Sequence, residues 1–201
     1  MANRDLLLYG MHAAFWGCFG LARRVARGRG APVVHDASEP TTARQEQTAP
    51  FSRALVALHM AGFAVMYFGI GNAVLPNRVP EWFFGQRVAG ACLITLGAAF
   101  TAWALLLFRS WRFRAQVEMG HQLATDGPFR FVRNPIYLGL NLLALGTAIW
   151  APTSALWIAF ALVVLGSDLR ARAEELVLER AFGGSYDAYR SRTKRFIPGL
   201  Y

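Results

Sequence analysis

The sequence predicts an all-α polytopic membrane protein with about five transmembrane helices, the last two of which form a C-terminal helical hairpin. Hydrophobic residues make up 55% of the 201 residues, and the mean hydropathy of +0.30 is higher than that of a typical soluble domain. Several apolar runs approach the ~20 residues that a helix needs to cross a bilayer. Arginine residues cluster at the ends of these runs, a pattern typical of membrane topology.

The N-terminal region, residues 1–114, is predicted to contain three transmembrane helices and a polar linker. Residues 6–22 are apolar except for His12 and precede an Arg-rich stretch, so they form a first span with the N terminus outside. A signal peptide would instead carry its positive charge before the apolar segment. Residues 23–53 lack apolar periodicity and form the linker.

The second and third spans are residues 54–75 and 88–108. At ~1.5 Å rise per residue, each is long enough to cross a hydrocarbon core of ~30 Å. His59 lies near one end of the second run, where we expect a packing or interfacial role. Pro76 ends that helix, and Arg109 begins the basic stretch after the third span.

The C-terminal region, residues 115–201, carries the predicted hairpin. Residues 136–166 are almost continuously apolar, and an Ala-Pro-Thr-Ser turn at 151–154 divides them into two spans. The second helix is expected to continue through a charged stretch to about Phe182. A basic, aromatic tail, residues 185–201, follows it.

The distribution of basic residues predicts the orientation of these spans. With the N terminus outside, three of the 21 Lys and Arg residues fall in outer segments and eighteen fall in inner segments. Such a bias favours this orientation strongly. We therefore expect an integral, multi-pass protein, in a bacterial inner membrane, with the loop before the hairpin facing the cytoplasm.

Several function classes are excluded by the sequence. The net charge of +9 comes from Arg residues beside apolar runs, not from a folded basic surface, so we expect no nucleic-acid partner. Cys18 and Cys92 lie inside apolar runs and have neither disulfide nor metal-ligand spacing, so no metal site is expected. The phosphate-binding, zinc-protease and nucleophile-elbow motifs of soluble enzymes are absent from the sequence.

Residues 121–139, HQLATDGPFRFVRNPIYLG, form the most informative stretch of the chain. Gly127-Pro128 breaks any preceding helix, and Pro135 suits the first turn of the next one. A polar loop therefore leads directly into an apolar helix. Polar backbone at a membrane edge is tolerated where it lines a cavity, so this loop is the first place to expect a ligand.

A second polar cluster, residues 168–175, lies at the same end of the hairpin because the two helices are antiparallel. Its Arg170 and Glu174 are four residues apart and share a helix face. The two clusters predict a pocket with apolar walls and a charged lining. On spacing alone an alternative stays open, in which Arg130 and Arg133 bind phospholipid head groups and residues 174–175 form a solvated face.

Two ordered motifs in this region carry a family resemblance. Residues 127–139 resemble the G-P-Y-R-Y-V-R-H-P-x-Y-x-G segment of the isoprenylcysteine carboxyl methyltransferase family, which is grouped with the membrane phospholipid methyltransferases. The stretch from Arg170 to Pro198 resembles that family's R-x-x-x-E-E…F-G-x-x-Y-x-x-Y…P block. The resemblance covers about residues 121–198, whereas the first half of the chain shares only its set of transmembrane helices.

The resemblance implies a membrane methyltransferase that uses S-adenosylmethionine and has a cofactor pocket facing the cytoplasm. It implies that Arg170 lies on the substrate side and that Arg170 and Glu174 take part in catalysis. The acceptor would be a lipophilic or small molecule with a carboxyl, thiol or amine group, and a lipophilic acceptor would enter from the lipid bilayer. The cofactor-binding residues implied are His121, Leu123, Ala124, Gly127, Phe129, Arg133, Asn134, Pro135, Tyr137, Glu174 and Glu175.

The chain departs from the family pattern at two positions. Asn134 replaces the usual His; it keeps hydrogen-bonding capacity but cannot become cationic. Phe129 replaces a Tyr and keeps the aromatic face without the hydroxyl. Two other functions are therefore weighed beside the methyltransferase: an NADPH-dependent sterol-type membrane reductase, whose members are typically much longer, and a non-catalytic lipid-binding relative.

Overall fold

The computed structural model describes residues 3–28, 52–74, 83, 85–107 and 123–201. Helices dominate this part of the chain, which confirms the all-α prediction, and one isolated parallel bridge joins Val132 to Lys194. Most of the predicted linker and His121 lie outside the described residues. The elements are α1 (Asn3–Gly28), α2 (Ser52–Val74), α3 (Gln86–Leu107), a short 3-10 helix (Gly127–Arg130), α4 (Pro135–Trp150), α5 (Ser154–Phe182) and α6 (Gly184–Arg192).

Each predicted apolar run coincides with helix wherever it is described, apart from the turn at residues 151–153. Among the described residues, three helical segments are long and apolar enough to cross a membrane: Arg53–Ala73, Gln86–Leu107 and Ser154–Phe182. Pro135–Trp150 is a shorter apolar helix. Helix α1 is not in that set; it extends past the predicted start of the linker to Gly28.

The helices pack around a shared apolar core, and further large apolar side chains lie on the outer surface. Helix α3 packs mainly against α4, α2 packs against α5, and α1 packs against α3. Phe15, Ile94 and Leu143 are buried in the shared core. Phe68 and Ile158 are more than half exposed. Such an apolar outer surface suits lipid, whereas a soluble protein rarely exposes a contiguous one.

Glycines bring the backbones of α3 and α4 into direct contact. A Cβ atom at Gly90 would lie 2.6 Å from the carbonyl oxygen of Gly146, and one at Gly97 would lie 2.7 Å from the carbonyl oxygen of Gly139. Small residues at such crossings are typical of membrane helices, because close approach increases van der Waals contact where lipid is as apolar as the side chains.

The turn between α4 and α5 sets the position of the charged stretch. Thr153 caps α5, since its side chain accepts a hydrogen bond from the Leu156 N–H. From there α5 continues without a break to Phe182, as expected, and ends at Gly183, whose φ of 48° favours glycine. The charged part of α5 therefore lies beside the start of α4.

The tail closes over the loop that precedes α4. The Arg133 N–H donates to the Lys194 carbonyl at 2.7 Å, and the Asn134 N–H donates to the Arg195 carbonyl at 3.2 Å. These bonds extend the bridge between Val132 and Lys194. Loop, α4, α5 and tail therefore meet at one end of the bundle.

We expect Gly90→Ala to lower the free energy of unfolding of the detergent-solubilised protein by about 1–3 kcal/mol, because the added methyl group overlaps backbone atoms of α4. Gly71→Ala is the matched control: its Cβ meets nothing within 4 Å, and alanine favours a helix by up to about 1 kcal/mol. Thermal unfolding of both variants is the measurement. Equal melting temperatures would contradict the glycine contact between α3 and α4.

Candidate functional site

A pocket opens where the loop, α4, α5 and α6 meet. It encloses about 610 Å³ of empty space, including the part open to solvent. Its walls are mostly apolar or aromatic, with a few charged groups. The lining residues are Leu123, Ala124, Phe129, Arg133, Asn134, Pro135, Ile136, Tyr137, Glu174, Glu175, Leu178, Tyr186 and Tyr189.

The structure brings most of the sequence-predicted cofactor residues into this one pocket. Nine of the eleven line it, whereas Gly127 does not and His121 lies outside the described residues. Gly127 instead begins the 3-10 helix with a φ of 58°, and it packs against Leu107 and Trp103. Its place in the motif is explained by the shape of the loop, since a positive φ favours glycine.

The loop is folded so that Phe129 points inward. The Phe129 N–H donates to the Asp126 carbonyl at 3.1 Å, and the Tyr189 hydroxyl donates to the Phe129 carbonyl at 2.6 Å. Phe129 is buried while its neighbour Arg130 is exposed, with its guanidinium 5.8 Å from the centre of the Phe131 ring. The alternative interpretation, in which loop arginines bind phospholipid head groups, requires exposed side chains. Of the two loop arginines, only Arg130 meets this requirement.

Arg133 is held inside the protein by Glu175. Its Nε lies 3.2 Å from Oε1 of Glu175, and both side chains are at most 10% exposed. Arg133 also donates to the backbone carbonyls of Thr193 and Arg190. This burial contradicts the alternative interpretation, in which Arg133 binds phospholipid head groups and Glu175 lies on a solvated face of the helix.

Glu175 is a buried hub that joins the loop to the tail. Its Oε2 lies 2.8 Å from an Nη of Arg195, and its Oε1 accepts a hydrogen bond from the Asn134 amide at 3.0 Å. The hydrogen bond to Glu175 raises the pKa of Arg195, which keeps that side chain cationic. Asn134, the departure from the family's His, therefore has a defined role here: it donates to Glu175.

Glu174 faces a different set of partners. The Tyr137 hydroxyl donates to its Oε1, and an Nη of Arg170 lies 3.6 Å from the same oxygen. The Arg170 guanidinium also covers the Tyr137 ring, 5.1 Å from its centre. Oε2 of Glu174 has no hydrogen-bond partner among the described residues. Glu174 thus presents a carboxylate oxygen to the pocket while Tyr137 and Arg170 hold its position.

Arg170 does not line the pocket. It is 7% exposed and lies beyond Tyr137, toward the apolar half of α5. Tyr137 therefore separates two environments: the open pocket on one side and the buried guanidinium on the other. The substrate-side position expected for Arg170 and its catalytic role both stay predictions.

Four lining residues were not singled out from the sequence: Ile136, Leu178, Tyr186 and Tyr189. The two tyrosines were visible as a Y-x-x-Y repeat, whose spacing puts both on one face of a helix. Burial raises the pKa of both phenols, so both hydroxyls stay protonated at neutral pH. The Tyr186 hydroxyl is buried and has no hydrogen-bond partner in the described part of the chain.

The pocket suits a ligand with an aromatic ring and a cationic group. Phe129, Tyr137 and the two tyrosines of α6 provide aromatic faces, and Glu174 provides an anionic oxygen for an ammonium group. Within the described residues, His, Cys, Asp and Glu side chains form no group of three that could hold a metal ion.

Comparison with known proteins identifies the family of the chain. The model of the phospholipid methyltransferase family matches residues 86–185, from the start of α3 to the start of α6, and so includes the loop and most of the pocket. The chain belongs to this phospholipid and isoprenylcysteine methyltransferase-like family.

Two individual relatives of the chain are named as protein-S-isoprenylcysteine O-methyltransferases. A protein-S-isoprenylcysteine O-methyltransferase of Schizosaccharomyces pombe is 37% identical over 115 residues, which cover 57% of this chain and 45% of the relative. A probable protein-S-isoprenylcysteine O-methyltransferase of Oryza sativa is 28% identical over 131 residues, which cover 63% of this chain and 68% of the relative. The chain thus spans less than half of the yeast relative and about two thirds of the rice one.

We expect Glu175→Ala to destabilise the protein by about 3–5 kcal/mol, because it leaves Arg133 and Arg195 buried without their shared carboxylate. Glu179→Ala is the matched control on the same helix. Its pair with Arg190 is about half exposed at 3.7 Å, and such pairs contribute roughly 0–1 kcal/mol. Thermal unfolding in detergent compares the two variants. A Glu175 variant as stable as the Glu179 variant would contradict the claim that Glu175 joins the loop to the tail.

Proposed function

We propose that the protein is an S-adenosylmethionine-dependent membrane methyltransferase that methylates the carboxylate of a lipophilic, isoprenylcysteine-type acceptor. One observation carries the proposal: the Glu174–Tyr137–Arg170 cluster lies where the open pocket meets the apolar interior. A polar cofactor and a lipophilic acceptor would approach such a cluster from opposite sides. The names of the yeast and rice relatives support this choice of acceptor.

The described pocket residues fit the parts of the cofactor. S-adenosylmethionine, when bound, supplies an activated methyl group on a sulfonium sulfur, together with an ammonium, a carboxylate and an adenine ring. Oε2 of Glu174 would accept a hydrogen bond from the ammonium or the ribose. Phe129 and Tyr137 would flank the adenine, and the Tyr186 hydroxyl would gain the partner that it lacks among the described residues.

On the acceptor side, Arg170 would orient the carboxylate. A guanidinium has five N–H donors, so it can pair with Glu174 and hold a second carboxylate as well. The tail of the acceptor would lie along the apolar part of the hairpin, in the bilayer. This arrangement aligns the reacting atoms, and alignment is the main requirement of an in-line displacement.

The transfer itself needs no general base. Bound S-adenosylmethionine would supply a methyl group that a carboxylate oxygen could accept directly, with the electron pair of the carbon–sulfur bond left on sulfur, so no residue would have to remove a proton. A protonated amine acceptor would first have to lose a proton.

We also propose that the pocket faces the cytoplasm, because the basic residues are concentrated at that end of the spans. Its neighbourhood includes the basic tail that closes the loop. The matched relatives come from a yeast and from plants. The bacterial inner membrane therefore stays an expectation from the sequence.

We expect the purified protein to bind S-adenosylmethionine, and Glu174→Gln to weaken that binding at least about tenfold, because the amide keeps the shape but loses the charge-assisted hydrogen bond. Isothermal titration in detergent is the measurement, with Glu179→Gln as the control. Absence of binding by the wild-type protein would overturn the methyltransferase proposal. Stabilisation by NADPH would favour the reductase, and methyl transfer absent despite lipid binding would favour a non-catalytic relative.

We expect Arg170→Ala to retain cofactor affinity while lowering kcat/KM for a carboxylate acceptor by about 10- to 100-fold, the loss associated with a hydrogen bond to a charged group. Transfer of a labelled methyl group to an S-farnesyl cysteine derivative measures turnover. Arg170→Lys should recover part of the activity, since it restores the charge without the planar pair of donors. A variant that loses cofactor affinity would show that Arg170 belongs to the cofactor side.

A further inference from the structure

A ladder of polar contacts continues from the pocket into the apolar interior between α4 and α5. The first rung is the hydrogen bond from Tyr137 to Glu174. The second is the hydrogen bond from the Ser167 hydroxyl to Oδ1 of Asn141, at 2.8 Å. Ser167 and Glu174 are seven residues apart, so both rungs use one face of α5, and Arg170 lies on that face between them.

His59 of α2 lies at the inner end of this ladder. Its Nε2 is 3.4 Å from the Ser167 hydroxyl, and its ring stacks on Phe63 with 5.2 Å between centroids. A Cβ at Gly166 would lie 3.0–3.3 Å from three atoms of His59, so the glycine backbone of α5 packs directly against His59. His59 is 1% exposed, which agrees with the packing role expected from the sequence.

The hydrogen bonds assign the two nitrogens of His59 to different roles. The single Ser167 hydroxyl proton goes to Oδ1 of Asn141, so the Ser167 oxygen accepts from Nε2–H of His59. Neutral imidazole carries one N–H, and Nδ1 therefore presents a lone pair. That Nδ1 is buried and has no hydrogen-bond partner among the described residues.

His12, a second histidine within a predicted span, differs from His59 because both of its ring nitrogens have partners. His12 is also buried, but its Nδ1 lies 3.1 Å from the Tyr67 hydroxyl and its Nε2 lies 2.9 Å from the Thr147 hydroxyl. Both of its nitrogens are accounted for by packing between helices. His59 retains one unsatisfied acceptor next to the proposed acceptor site, and ionisable residues inside a membrane are typically functional.

We propose that Nδ1 of His59 is a specificity-determining group that accepts a hydrogen bond from an amide N–H of the methyl acceptor. Arg170 and His59 lie against the same Tyr137 ring, with 5.1 Å from the guanidinium carbon and 5.9 Å from the imidazole centroid to the ring centre. An N-acylated amino acid carries a carboxylate and an N–H on one carbon, which is the pair of groups that a guanidinium and an imidazole acceptor on either side of one ring would recognise. This inference rests on the proposed function.

The test compares three matched acceptors: N-acetyl-S-farnesylcysteine, its N-methyl derivative, and S-farnesyl mercaptopropionate, which lacks the amide. We expect the wild-type protein to prefer the N–H acceptor by about tenfold in kcat/KM, the effect of one hydrogen bond. His59→Phe keeps the ring stacked on Phe63 but removes both nitrogens. It should lower kcat/KM for the N–H acceptor by about tenfold and leave the other two acceptors unchanged.

Two further variants separate hydrogen bonding from packing. His59→Asn places an oxygen on Cγ, where Nδ1 is attached, and should restore the preference. His59→Gln places its polar atoms one bond further out, near Ser167, and should not. His12→Phe is the control at the other buried histidine; it should lower the melting temperature without changing the preference. If the Phe variant does not fold, the Asn and Gln pair gives the same comparison.

The outcomes distinguish this inference from the proposed function. If the wild-type protein binds no S-adenosylmethionine and transfers no methyl group, the proposed function fails and the inference falls with it. If it methylates all three acceptors equally, or if the His59 variants keep the preference, only the inference is overturned. Equal losses for all three acceptors, or lost cofactor affinity, would show a merely structural His59 and overturn it as well.

Discussion

The buried carboxylate of Glu175 is the constraint on which the candidate site depends. It lies on α5, yet its partners come from the loop (Arg133 and Asn134) and from the tail (Arg195). Three segments distant in sequence are thereby fixed around one side chain. Such a buried network is stable only when every member has a partner, and two arginines supply the opposite charge that burial requires. The loop can therefore present Phe129 and Pro135 to the pocket in one conformation.

Tyr137 divides the site into two environments with different chemistry. Toward the pocket lie Glu174 and the aromatic residues of α6, and toward the interior of the helix bundle lie Arg170 and the ladder that ends at His59. The methyltransferase proposed above would need such a division, because its polar cofactor and its lipophilic acceptor would approach from different sides. The Tyr137 ring would provide it, since its hydroxyl and its face contact opposite charges.

The sequence predicts the parts of this structure that depend on local pattern. Apolar runs identify the helices, and Pro135 and Gly183 mark where two of them start and end. Residues that share a motif line one pocket because the hairpin is antiparallel. The different roles of Glu174 and Glu175 could not be predicted: neighbouring side chains point about 100° apart on a helix, and only the rotation of α5 against its neighbours decides which partners each one meets. The partners of His59 could not be predicted for the same reason, since they come from α4 and α5.

Helix α5 has a length that bears on the reaction. It runs for 29 residues without a break, about 43 Å at 1.5 Å per residue, so it exceeds a hydrocarbon core of ~30 Å. Glu174 lies twenty residues from Ser154, which places it about one bilayer thickness from the N-terminal end of the helix. For the lipophilic acceptor proposed above, the depth at which its head group meets the site would therefore be set by the membrane itself. Bilayer thickness, and with it hydrophobic mismatch and helix tilt, would then become a physical variable of substrate alignment.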